Sequence, residues 1–160
     1  MTSSLSGVRI WLSGSFAGKF PVDGVDADYE RFSRLIRRLA QTAFQDGGAI
    51  IHGSHPSITD ILLDAASEYQ VAKGQKAPLT LAVSDYFLKD PVKYRIDRNK
   101  WERLSRVVSV PEAVADVGQD NSLAKSLELL RDRIAAECDV VIGLGGRWWE
   151  IAGEAAGVPA

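Results

Sequence analysis

Short apolar runs rich in strand formers alternate along this chain with longer stretches of helical period. That alternation narrows the fold more than any other feature. The runs fall at 8–12, 49–52, 79–83, 106–110 and 139–144. Between them lie helical patterns at 28–45, from 59 onward, within 90–104, and at 122–137. The first helix carries Phe32, Leu35, Ile36, Leu39 and Phe44 at helical spacing and stops at Gly47-Gly48. Thr59 looks like the cap of the second, with Ile61, Leu62, Leu63 and Ala66 facing inward. The helix at 122–137 presents Leu123, Leu127, Leu130 and Ile134. Strands that alternate with helices imply an α/β fold. Its expected form is a Rossmann-like open, mainly parallel sheet with helices on both faces and right-handed crossovers.

Bulk properties set limits. A chain of 160 residues suffices for one domain with a real core, so 1–160 is read as a single domain. After Arg147 only thirteen residues remain, where a doubly wound sheet usually adds a strand and a helix. The domain is therefore expected to be truncated at its C-terminus and part of a longer protein, or to close its sheet edge by dimerisation. The net charge of −2 gives no electrostatic reason to expect a nucleic-acid backbone as partner. The arginines 31, 34, 37 and 38 read as a solvated helix face. One cysteine, Cys138, excludes a disulfide scaffold and a Cys-rich zinc site, and two histidines make a His-rich metal site unexpected. No run approaches the ~18 apolar residues of a membrane span, and the N-terminus lacks signal-peptide character. A cytoplasmic location is expected.

In open parallel sheets, ligands bind outside the carboxyl ends of the strands. Three small-residue segments fall there: Ser13-Gly14-Ser15, read as a turn; the loop from Gly53 through Ser54 and His55 to Ser57; and Gly145-Gly146-Arg147. Glycines let the backbone approach a ligand, and helix-terminal amides favour an anion. Ser54, Ser57 and Thr59 offer hydroxyls to phosphate or ribose. His55 offers stacking or a hydrogen bond, and Arg147 a bidentate fork. Glu150 and Glu154 are four apart and can share a helix face; the plain reading is a solvated face. No G-x-G-x-x-G follows the first strand and there is no Walker lysine, so ordinary dinucleotide and P-loop chemistry are not indicated.

Ser-Gly-Ser after the first strand, Gly-Gly before the second, His-Gly-Ser-His-Pro-Ser-Ile-Thr after it, and the stretch 131–147 together resemble the SLOG superfamily. This group joins the Smf/DprA proteins and the LOG phosphoribohydrolases on a Rossmann-like domain. The likeness covers nearly the whole chain and is closest to the ligand-sensing branch of prokaryotic conflict systems, including Thoeris-type antiphage sensors. The resemblance implies binding of an NAD-derived signal such as ADP-ribose or a cyclic ADP-ribose isomer, a homo-oligomer, and a fused or associated effector domain. It implies that Gly145, Gly146 and Arg147 hold a phosphate and that Ser13, Gly14 and Ser15 line the floor. His55 and Ser57 would contact ribose or phosphate, and Arg131 would reach the same pocket. The alternative is a LOG-like nucleotide N-glycosidase. Against it, Leu144 stands where the hydrolases carry a proline, Trp148-Trp149 follows the arginine, and the hydrolase glutamate is not visible. No catalytic residue or metal ligand is therefore assigned, and no cofactor beyond a nucleotide-like ligand.

Overall fold

The computed structural model describes residues 4–16 and 27–145. Five strands and five helices follow in the order β1 (Arg9–Ser15), α1 (Ala27–Gln45), β2 (Ala49–His52), α2 (Pro56–Lys73), β3 (Leu79–Ser84), α3 (Asp85–Leu88), α4 (Arg98–Leu104), β4 (Arg106–Val110), α5 (Ser122–Glu137) and β5 (Val140–Gly145). All strand pairs are parallel, and the sheet order is β4-β3-β2-β1-β5. The expected Rossmann-like α/β architecture is present. Among the described residues no helix is long and apolar enough to cross a membrane.

Alternation along each strand sorts the core into two layers. Ile10, Leu12, Ile50, Leu79, Leu81 and Val83 pack with Ile36, Phe44, Ile58, Leu62, Leu63 and Trp101 from α1, α2 and α4. Trp11, Ile51, Ala82 and Val110 face the other way, against Leu130 and Ile134 of α5. Full burial of each Leu or Ile contributes roughly 1.5–3 kcal/mol. The first layer, with eight such side chains fully buried, carries most of the stability.

Several expectations need correction. Ser13-Gly14-Ser15 is not a turn. β1 continues through it, paired with β5 from Ile10↔Val140 to Ser15↔Gly145. The ladder supplies the order that three small residues lack by propensity. Thr59 does not cap α2. His55 does, with Pro56 at the first helical position, where its missing N–H costs nothing. Thr59 sits one turn inside, and its hydroxyl donates to the His55 carbonyl at 2.8 Å. The apolar stripes are also wider than the core. Leu35 and Leu123 are exposed, while Ala40, Ala43 and Ser126 are buried beside the expected Ile36, Phe44, Leu130 and Ile134 of α1 and α5. Asp139 lies before β5, where its carboxylate accepts from the Arg9 backbone N–H and guanidinium at 2.9–3.1 Å, tying the start of β5 to β1. Those hydrogen bonds hold the Asp139 pKa below the usual carboxylate range.

Candidate functional site

The chain moves outward from β1 to β2, β3 and β4, then returns to lay β5 on the other side of β1. The order reverses at β1, so the carboxyl ends of β2, β1 and β5 form one rim at the topological switch point. Ser13, Gly14 and Ser15 end β1; Gly53, Ser54 and His55 follow β2; Gly145 ends β5 in register with Ser15. The structure therefore gathers these seven residues on one edge. Gly146 and Arg147 lie outside the described residues, as do Trp148, Trp149, Glu150 and Glu154. Arg131 is on α5, packed on the sheet face opposite α2.

Two of the rim's small residues are fixed by geometry. Gly14 has φ +132°, and a Cβ there would fall on the Leu144 carbonyl, so only glycine lets β5 lie this close to β1. Ser54 adopts the left-handed region at φ 62°, and its hydroxyl donates to the Ala82 carbonyl of β3 at 2.8 Å. That bond helps hold the turn in a conformation that residues other than glycine seldom adopt.

The centre of the rim is a hydrogen-bond relay through two histidines. His52 ends β2 on the α2 side and is 2% exposed. Its Nδ1 lies 2.8 Å from the Leu12 carbonyl, which only accepts, so Nδ1 carries the proton. Its Nε2 accepts the His55 backbone N–H at 3.1 Å. The paired register between β1 and β2 stops at Trp11↔Ile51, and the His52 ring bridges the next step. Burial holds the His52 pKa at about 4, well below the ordinary 6.5, so the ring is neutral at neutral pH.

His55 has the opposite tautomer. Its Nδ1 accepts the Ser57 backbone N–H at 3.2 Å and therefore bears no proton. Ser57 Oγ lies 2.8 Å from the same unprotonated Nδ1, so its hydrogen points to His55, and its oxygen accepts the Phe16 N–H at 3.1 Å. The ring is exposed, but the side facing Ser57 is out of water, and this desolvation lowers its pKa. Among the described residues its Nε2 has no hydrogen-bond partner. Phe16 is anchored in turn by edge contact with Tyr29 (centroids 5.2 Å apart) and by Phe32, while the Tyr29 hydroxyl donates to the Ser57 carbonyl.

This network changes what the rim offers. Ser57 is 2% exposed and both roles of its hydroxyl are taken, so it faces the protein rather than a ligand. The amides of the first turn of α2 are also engaged, Ser57 with His55 Nδ1, Ile58 and Thr59 with the His55 carbonyl. Among the described residues, an anion at this edge must look to the His55 ring and the β1 end. Ser57 and His55 have the spacing of a nucleophile–base pair, but a buried serine has no route to a substrate. Sequence reasoning missed His52 as part of the site. The signal was its place two residues after Ile50, hence on the same buried face. Among the described residues no group of His, Cys, Asp and Glu is placed to hold a metal ion.

The fold and its rim define an α/β domain with a polar, small-residue edge at the switch point. Compared with known proteins, the chain matches no family model and no curated sequence.

Proposed function

We propose that the rim at the ends of β1, β2 and β5 binds a small nucleotide-derived ligand of the ADP-ribose or cyclic ADP-ribose type. In this reading the domain is a SLOG-like cytoplasmic sensor, working as a homo-oligomer with a fused or associated effector. The observation that carries the reading is the convergence of Ser15, Gly145 and His55 on one edge, where the strand order reverses. Ser15, partly exposed at the end of β1, offers a small polar side chain to a sugar-phosphate, and the imidazole supplies a hydrogen-bond group on the same rim. Gly146 and Arg147 continue directly from Gly145 and would supply the phosphate contacts. A ligand acts as a signal only through different affinity for two states of the protein, so binding must be tied to assembly or effector packing. The burial of Ser57 favours binding over chemistry that needs a serine nucleophile.

Calorimetry and thermal shift with ADP-ribose, cyclic ADP-ribose isomers, NAD and AMP test the reading. The expected result is saturable binding of at least one without turnover. Arg147→Ala should weaken that binding in a folded protein. Release of free base from NAD or AMP would replace the sensor with an N-glycosidase. Absence of binding across the panel, or unchanged affinity in Arg147→Ala, would overturn the proposed grip.

A further inference from the structure

We propose that His55 is the rim's outward-facing hydrogen-bond donor, and that Ser57 and His52 are positioning residues that hold it in that role. The inference deepens the binding reading above and rests on it. Its foundation is the direction of each hydrogen bond. A backbone N–H can only donate, so Ser57 N–H at 3.2 Å fixes His55 Nδ1 as an acceptor. With Nδ1 an acceptor, the Ser57 hydroxyl at 2.8 Å can only donate to it, while its oxygen takes the Phe16 N–H at 3.1 Å. With two donors aimed at Nδ1, the neutral ring must carry its proton on Nε2, across the ring from the protein. His52 acts one bond earlier, since its Nε2 accepts the His55 main-chain N–H at 3.1 Å while its Nδ1 donates to Leu12. The exposed ring therefore presents one fixed N–H beside the end of β1.

A fixed donor selects an acceptor. The matching ligand atom is an oxygen without its own hydrogen in the way, such as a phosphate or carbonyl oxygen. An ammonium or amide N–H at that position would meet another donor. Ser57 thus contributes to recognition without touching the ligand.

The cap and the outward donor can be separated by substitution. Asparagine is among the best helix caps, and in His55→Asn its side-chain oxygen can take the Ser57 N–H while nothing replaces Nε2–H. His55→Asn is expected to melt near wild type yet bind AMP and ADP-ribose about tenfold more weakly or worse, since a hydrogen bond to a charged group is worth at least that factor. Imidazole nitrogen NMR of the ligand-free protein at neutral pH is expected to show His55 with Nε2–H and His52 with Nδ1–H. Ser57→Ala removes the hydroxyl and keeps the backbone N–H, so the Nδ1–H fraction of His55 should rise while Nε2–H stays the major form, and Ser57→Thr, which keeps the hydroxyl, should return it to the wild-type value. An Nδ1–H tautomer in wild-type His55, or a tautomer unmoved by Ser57→Ala, would overturn the positioning role. Wild-type affinity in His55→Asn would overturn the donor role and leave His55 as a cap alone. If the tautomers are as described but no nucleotide binds the wild type, the binding reading fails, and the donor role with it.

Discussion

Acid should loosen this domain through His52 as the pH falls below 6.5. The ring is buried and neutral, with a pKa of about 4 in the fold against 6.5 when unfolded. A base whose folded pKa is depressed is protonated first in the unfolded chain. The stability it allows is full above the unfolded value and is lost as pH falls through 6.5 toward about 4. A difference near two and a half pH units, at about 1.36 kcal/mol each, gives roughly 3 kcal/mol once both states are protonated, and about 2 kcal/mol already at pH 5. Against a total of roughly 5–15 kcal/mol for a domain, that is a large share. His55 shifts in the same direction and adds to the slope. The assay is urea unfolding at a series of pH values between 8 and 5, on wild type and His52→Gln. Glutamine offers the same edge an amide that does not titrate. The variant is expected to start lower at pH 8, by roughly 1–3 kcal/mol for imperfectly satisfied partners, and to lose much less on acidification. The two curves should converge. With only two histidines in the chain, NMR titration assigns each ring directly. A His52 pKa near 6.5, or equal slopes in both proteins, would refute the account of the buried relay.

Two further outcomes follow from local geometry. Gly14→Ala should cost roughly 3 kcal/mol or more, combining positive-φ strain with a collision against Leu144, and should lower the melting temperature by about 10 °C; a wild-type melt would refute the close approach of β1 and β5. Cys138 should react slowly with a thiol reagent at neutral pH until the protein is unfolded, because desolvation raises its pKa above the ordinary value of 9.0; equal rates in folded and unfolded protein would contradict its half-buried place.

The layout was legible because burial leaves plain marks in sequence. The strands at 49–52 and 106–110 and the helix at 122–137 have the bounds their patterns suggest, since apolar runs end where polar or glycine-rich punctuation begins. What was not legible depended on partners far along the chain. Ser13-Gly14-Ser15 is strand only because β5, some 130 residues later, pairs with it. Thr59 looked like a cap on side-chain preference, yet Pro56 was the better marker of the helix start, and a histidine took the capping role. Leu35 and Leu123 fit the helical period, but periodicity gives a stripe and not its edges. For the site, the strand ends themselves could be found. The direction of each hydrogen bond could not, because it depends on Leu12, Phe16 and Ser57 meeting in space.

That meeting has a further physical consequence. Each rim segment is tied to β1 by a different device. β5 is held by a ladder that reaches Ser15↔Gly145, β2 by the His52 ring on Leu12, and the start of α2 by Phe16 N–H on Ser57. None of the three relies on an exposed ion pair, which salt would screen. Interior hydrogen bonds with both partners satisfied leave few low-energy alternatives, because opening any one strands a buried donor or acceptor at about 1–3 kcal/mol. A rim braced in this way spends little of a ligand's binding energy on ordering itself. If the domain is the sensor proposed above, such a rim would offer the ligand a fixed surface, and the moving part of the response would lie in elements that are not hooked to β1.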